Sequence, residues 1–165
     1  MAWKSSVLVV AKVTAASDEL LAAMRSRAAR APTEFTLLMP AGAGEARFGR
    51  HAVARAVDRM TSAGLDVRGI VGDSDPVVAV HEHWDPRWFD EVIVSTLPTG
   101  ASRWLKIDLP HRIERITDAP VQHVVAKPAE EPRRTYRPPP KRDDDGLLMP
   151  LVSLGWGGKR EPARH

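Results

Sequence analysis

Short, continuously apolar runs constrain the fold of this chain more than any other feature of its sequence. Ser6–Ala11 (SVLVVA) and Phe35–Met39 (FTLLM) contain one polar residue each, and Val92–Val94 (VIV) forms a third apolar run. A strand that is apolar at nearly every position must be covered on both faces, which is typical of parallel sheets in α/β proteins. We therefore predict a doubly wound parallel sheet with helices on both faces.

Helix signals separate these runs. Ser17 is placed to cap a first helix that Pro32 ends, and Gly64 is placed to stop a second helix, on whose apolar face we expect Phe48. Asp75 and Pro76 begin a third helix. We expect Asp108 to cap a fourth helix with its carboxylate, because Pro110 is tolerated only in a first helical turn. The predicted strands are Ser6–Ala11, Phe35–Met39, Leu65–Val71, Glu91–Ser95 and Val121–Ala126.

A change of composition at Pro128 predicts two parts, an α/β domain over 1–127 and a tail over 128–165. Seven of the 14 prolines lie in the tail, and its first half is also highly charged, so it has too few apolar groups to build a core. The segment 147–156 is apolar without helical or strand spacing, and we expect it to bind extended to a protein surface. That surface could belong to its own domain, a sister subunit or another protein. The candidate tail residues are Leu148, Met149, Leu151, Val152, Leu154 and Trp156.

Composition excludes several classes of function. The chain has no cysteine, so it has no disulfide framework, thiolate metal site or cysteine nucleophile, which fits a reducing cytoplasm. Through Lys127 there are 16 Lys and Arg against 15 Asp and Glu, a net charge of +1. We therefore expect no nucleic-acid partner, since that would require a one-sided basic field. The apolar N-terminal run is too short to cross a membrane, and we expect no membrane partner.

The loop Ser95–Ser102, which follows the fourth predicted strand, is the candidate ligand site. Ligands of parallel α/β sheets bind at the carboxyl ends of strands, where Lys12 and Thr14 could face the same crevice. Alternatively, Lys12 is a solvated residue at the rim. The hydroxyls of this loop, with Arg103, could hold a small anion or a nucleotide ribose. Alternatively, they satisfy the backbone of their own turn. No Gly-x-Ser-x-Gly elbow is present, and His81 and His83 point to different sides of a helix, so we expect neither catalytic residues nor a metal site.

From Ser6 to Ala126 the chain resembles the universal stress protein family. The resemblance depends on the order of elements and on three stretches, Gly72–Pro76 (GDSDP), Asp90–Thr96 (DEVIVST) and Ser102–Arg115 (SRWLKIDLPHRIER). It implies a Rossmann-like five-stranded sheet of order 3-2-1-4-5. It also implies a homodimer and, in some members, a site for ATP or AMP.

The chain departs from the nucleotide-binding pattern of that family. Those members have an Asp after strand one and a Gly-x2-Gly-x9-Gly-Ser/Thr motif after strand four. Here Lys12 follows strand one, only Gly100 remains of the glycines, and Ile107 and Asp108 replace the final pair. A capping carboxylate at Asp108 would also repel phosphate. We therefore expect no cofactor and weak or absent ATP binding, with ATP or AMP as the alternative.

These observations predict a non-enzymatic module of the universal stress protein type that acts as a dimer and through its tail. The alternative is an adenine-nucleotide sensor with a divergent loop. In the order 3-2-1-4-5 the last strand is a sheet edge, which self-pairing would cover. The candidate dimer residues are Val121, His123 and Val125. The candidate nucleotide- or anion-binding residues are Lys12, Thr14, Met39, Thr96, Thr99, Gly100, Ser102 and Arg103.

Overall fold

A computed structural model describes residues 3–98 and 100–127, and this part of the chain forms one five-stranded sheet with helices around it. The strands are β1 Ser5–Val10, β2 Thr33–Pro40, β3 Asp66–Gly72, β4 Glu91–Thr96 and β5 Val121–Val125. The helices are α1 Asp18–Arg30, α2 Ala46–Ser62, α3 Pro76–His83, α4 Arg103–Lys106 and α5 Leu109–Thr117, and a short 3-10 helix, Ala43–Glu45, precedes α2.

The strand order is β3-β2-β1-β4-β5, and every neighbouring pair is parallel. This confirms the predicted doubly wound sheet. The chain moves outward from β1 in one direction through β2 and β3, and then continues on the other side of β1 with β4 and β5. The reversal leaves a crevice between β1 and β4 at their carboxyl ends.

Successive side chains along each strand point to opposite faces of the sheet, so the core has two layers. Val7 and Val9 of β1 face α1 and α2, while Leu8 and Val10 face α3 and α5, and all four side chains are fully buried. Burying a Val or Leu side chain stabilises a fold by about 1.5–3 kcal/mol. A run that is apolar at every position therefore stabilises both layers at once. The helices contribute Leu20, Met24, Val53, Ala56 and Met60 to one layer, and Ala79, Val80, Leu109 and Ile113 to the other.

Three of the predicted helix signals are confirmed. Ser17 Oγ accepts a hydrogen bond from the Leu20 N–H at 3.2 Å, and Asp75 Oδ1 accepts one from the Val77 N–H at 2.8 Å. Gly64 follows α2 with a φ of 85°, a left-handed conformation that glycine adopts without steric cost. These two caps and the glycine stop could be located from the sequence because each depends only on residues within about four positions along the chain.

The predicted capping by Asp108 is wrong. Asp108 does precede α5, but its backbone is left-handed (φ 50°, ψ 47°) and its side chain accepts no hydrogen bond from a backbone N–H of the helix. Side-chain capping requires an extended backbone and a free N–H at the second or third helical position. The second position here is Pro110, which has no N–H. The Asp108 carboxylate instead lies 2.8 Å from His111 Nδ1.

The prediction that Phe48 extends the apolar face of α2 is also wrong, since its side chain is 78% exposed. The buried face of α2 carries Val53, Ala56 and Met60. Phe48 lies five residues before Val53, and an α-helix turns by about 100° per residue, so the two side chains point to different sides of α2. No helix within residues 3–98 and 100–127 is long and apolar enough to cross a membrane.

Candidate functional site

A cleft of about 650 Å³ lies at the carboxyl ends of the strands. Its walls come from the segments that follow four different strands: Lys12–Thr14 after β1, Gly42 and Glu45 after β2, Ser74–Pro76 after β3, and Ser95–Leu97 at the end of β4. Residues of the β4–α5 connection, including Ser102, Arg103, Trp104 and Ile107, close its remaining side. The cleft is therefore at the switch point where α/β sheets of this topology bind ligands.

The structure brings together most of the predicted binding residues at this cleft. Its lining includes Lys12, Thr14, Thr96, Ser102 and Arg103.

The other three predicted binding residues are placed differently. Gly100 lies in the turn before α4 with a φ of 94°, and it is not part of the lining. Met39 is also absent from the lining, because its side chain is buried in the core layer beneath α1 and α2. Thr99 lies outside the described residues.

The hydroxyls of the cleft are largely engaged within the protein. Ser95 Oγ donates to Thr14 Oγ1 at 2.8 Å, and Thr14 Oγ1 donates to the Ser95 carbonyl at 3.2 Å. Ser102 Oγ accepts from the Leu105 N–H and caps α4. Ser102 thus fits the alternative interpretation of this loop, in which a hydroxyl hydrogen-bonds to the backbone of its own turn rather than to a ligand. Thr14 and Ser95 instead join the loop after β1 to the end of β4 and hold the two walls of the crevice together.

Thr96 connects the cleft to the edge strand. Its Oγ1 lies 2.8 Å from Nε2 of His123, which is in β5. Partial burial lowers the pKa of His123 below its ordinary value of about 6.5, so the imidazole is neutral at pH 7. A residue predicted at the dimer strand is therefore in direct contact with a residue of the cleft.

The charged groups of the cleft balance one another. Lys12 Nζ lies 3.1 Å from Glu45 Oε2, and the hydrogen bond and charge of Lys12 hold the pKa of the Glu45 carboxyl below its usual range. Asp75 is engaged as the cap of α3. Arg103 has no ion-pair partner within residues 3–98 and 100–127. It is the side chain of the described cleft most available to an anionic ligand.

Sequence reasoning missed Glu45 and Trp104 as lining residues, and it treated Asp75 only as a helix cap. The available signal was topological, since every segment that follows a parallel strand reaches the same edge of the sheet. Ile107 lines the cleft, whereas Asp108 does not. The predicted repulsion of phosphate by Asp108 therefore loses its basis.

A second, more open depression of about 790 Å³ lies between α2 and β3. Its lining is mostly apolar, with Gly69, Val53 and Val57 among the lining residues, and it also includes Arg50 and Asp58. It lacks the converging hydroxyls of the cleft, and we assign no ligand to it. No cluster of metal-ligating side chains occurs in the part of the chain that the structure describes.

The comparisons with known proteins bear on the fold. No protein-family model matches the sequence, and no curated protein matches it either. Solved structures do match it. A universal stress protein in complex with cAMP is 23% identical, with a TM-score of 0.53 over 77% of this chain and 100% of that one.

Two structures of universal stress proteins from Archaeoglobus fulgidus are also similar. One, in complex with dAMP, is 11% identical with a TM-score of 0.56 and covers 75% of this chain and 99% of that one. The other is 11% identical with a TM-score of 0.50 and covers 73% of this chain and 93% of that one. The described domain therefore has the Rossmann-like fold of the universal stress proteins.

Proposed function

We propose that this chain is a non-catalytic module of the universal stress protein type whose cleft binds a small adenine nucleotide. The observation that carries this proposal is the cleft itself, which is located at the topological switch point with Lys12 and Arg103 among its lining residues. The solved structures of the same fold include complexes with cAMP and dAMP, which supports a ligand of this class.

The state of the polar groups supports binding rather than catalysis. The hydroxyls of Thr14 and Ser95 bond to each other and to a carbonyl, and no basic side chain among the described residues forms a hydrogen bond with either of them. The carboxylates of the cleft are engaged by Lys12 and by the backbone of α3. An acyl or phosphoryl transfer would require a nucleophile activated by a base that a third group orients. Thr96 Oγ1 does lie 2.8 Å from His123 Nε2, but no side chain of the described residues hydrogen-bonds to the other ring nitrogen of His123.

Calorimetric titration with AMP tests the proposal. We expect a dissociation constant of about 10–100 μM, which corresponds to roughly −6 kcal/mol. Arg103→Ala is expected to weaken AMP binding about tenfold or more, because a charge-assisted hydrogen bond is lost. Arg115→Ala, an exposed residue of α5 outside the cleft, is the matched control and should leave binding unchanged.

Two results would contradict the proposal. One is the absence of AMP and cAMP binding at millimolar ligand in a protein that circular dichroism shows to be folded. The other is an equal loss of affinity in both arginine variants, which would indicate general charge attraction rather than a site.

A second candidate function is protein recruitment by a dimer, and the edge of the sheet favours it. Within the described residues β5 pairs only with β4, and Val125, the last residue of β5, is 49% exposed. A valine-rich edge strand offers unpaired backbone groups to a second copy, and Val121 and His123 lie on the same side of β5. The tail, with its candidate residues Leu151 and Trp156, lies outside the described residues, and we propose it as the segment that recruits a protein partner.

Sedimentation of three forms separates the roles of strand and tail. The full chain and a chain ending at Lys127 are expected to be dimers at tens of micromolar and to melt at similar temperatures. Val125→Glu is expected to yield monomers, because two buried carboxylates would meet at the paired edge. A monomeric full chain would exclude the strand-mediated dimer. A large fall in melting temperature on truncation would instead make the tail part of the fold rather than a recruiting segment.

A further inference from the structure

An ion pair crosses one side of the cleft. Lys12 follows β1 and Glu45 ends the 3-10 helix after β2, so the pair joins two loops that are 33 residues apart. Lys12 Nζ and Glu45 Oε2 are 3.1 Å apart, and the side chains are 41% and 61% exposed. Exposed pairs of this kind contribute little to stability. Lys12 can therefore exchange its partner readily when a competing anion enters the cleft.

The pair also sets the charge that a ligand meets. Among the described lining residues, Lys12 and Arg103 are positive and Glu45 and Asp75 are negative, so the formal charge of the lining is zero. Asp75 is fixed as the cap of α3 and cannot turn away without exposing the first turn of that helix. Glu45 has a single side-chain partner among the described residues, which is Lys12.

Ligand binding would therefore set a phosphate and Glu45 in competition for Lys12. If Lys12 moves to the phosphate, the Glu45 carboxylate is left without its partner in the same cleft. Its repulsion of the ligand grows in proportion to the charge on the ligand. A nucleoside monophosphate carries a charge of about −2, and a triphosphate carries roughly twice as much.

We propose that Glu45 is a specificity-determining residue that makes this cleft favour nucleoside monophosphates and cyclic nucleotides over triphosphates. This inference depends on the proposed function, namely that an adenine nucleotide binds in the cleft. Glu45 acts by competing for Lys12 and by repelling additional phosphate groups, so its effect is larger for more highly charged ligands.

Titrations of the wild type and Glu45→Gln with AMP and ATP test this inference. The wild type is expected to bind AMP at least tenfold more tightly than ATP. Glu45→Gln should tighten AMP binding about twofold to threefold and ATP binding about tenfold or more, since one repulsive charge is removed. Glu114→Gln, an exposed residue of α5 outside the cleft, changes the net charge equally and should leave the ratio of the two affinities unchanged.

Lys12→Gln provides an independent variant with the opposite expected effect. It leaves Glu45 unpaired and removes a cation, so ATP binding should weaken by a larger factor than AMP binding. Raising the salt concentration should reduce the wild type's preference for AMP, because screening acts most strongly on the more highly charged ligand.

The outcomes distinguish this inference from the function on which it depends. If AMP binds but Glu45→Gln leaves the AMP-to-ATP ratio unchanged, the role of Glu45 is wrong and the nucleotide site stands. A wild type that binds ATP as tightly as AMP would also show that the proposed role of Glu45 is wrong. If neither the wild type nor Glu45→Gln binds AMP or ATP, both the proposed nucleotide site and the proposed role of Glu45 are wrong. Melting curves of the variants confirm that each is folded, which we expect because both side chains are substantially exposed.

Discussion

Replacing Phe35 with alanine is expected to lower the free energy of unfolding by about 4 kcal/mol. Phe35 is 1% exposed, and it belongs to the core layer that includes Leu20 and Met24 of α1 and Met60 of α2. On β2 it stands in register with Val7 on one side and Val67 on the other. The deletion would leave a cavity in the centre of the sheet, and the surrounding strands cannot collapse to fill it.

Phe48→Ala is the matched control, because it makes the same chemical change at a side chain that is 78% exposed. We expect its effect to be within about 0.5 kcal/mol of zero. Urea denaturation of both variants, followed by circular dichroism, measures the difference. Equal destabilisation by the two substitutions would contradict the placement of Phe35 in the core.

Replacing Gly69 with alanine is expected to cost about 2 kcal/mol, although it adds a single methyl group. A Cβ built at Gly69 would lie 2.1 Å from Val53 Cγ1 and 2.9 Å from Val57 Cγ2. Both distances are far below van der Waals contact, so α2 must shift away from β3 or both valines must change rotamer. The absent side chain therefore sets how closely the helix approaches the edge strand.

Gly44→Ala is the control for this substitution. No atom lies within 4 Å of a Cβ at Gly44, and its φ is not positive, so the change should be neutral or slightly stabilising. The double variant Gly69→Ala, Val53→Ala should be less destabilised than the sum of its single variants by about 1 kcal/mol or more, because the alanine at 53 removes the closer of the two clashes. Additive effects in this double-mutant cycle would show that the clash with Val53 does not cause the destabilisation by Gly69→Ala.

Most of the fold could be predicted from the sequence, because its signals are local. The apolar run in β1 needs cover on both faces, and the Gly64 stop and the Ser17 cap act within a single turn of chain. Asp108 could not be predicted in the same way. Its left-handed backbone results from how the α4 turn joins α5, and the residue types alone are equally consistent with a capping carboxylate.

The candidate site could be predicted only in part. Lys12, Thr96 and Arg103 were found because each follows or ends a strand that has a clear apolar pattern. Glu45 was missed because its role depends on contact with Lys12, and no short-range pattern predicts which side chains meet across a crevice. Met39 was misplaced among the lining residues for a similar reason, since the face on which the end of β2 lies depends on strand register.

The separation of the cleft from the core has an evolutionary consequence. Residues that hold the sheet together lie within the strands, whereas nearly all cleft residues belong to the segments that follow them. Substitutions at positions such as Lys12 or Glu45 can therefore change the charge and shape of the cleft at little cost to folding, and drift there leaves the scaffold intact. The same arrangement explains how two chains that share 11% sequence identity can have the same fold.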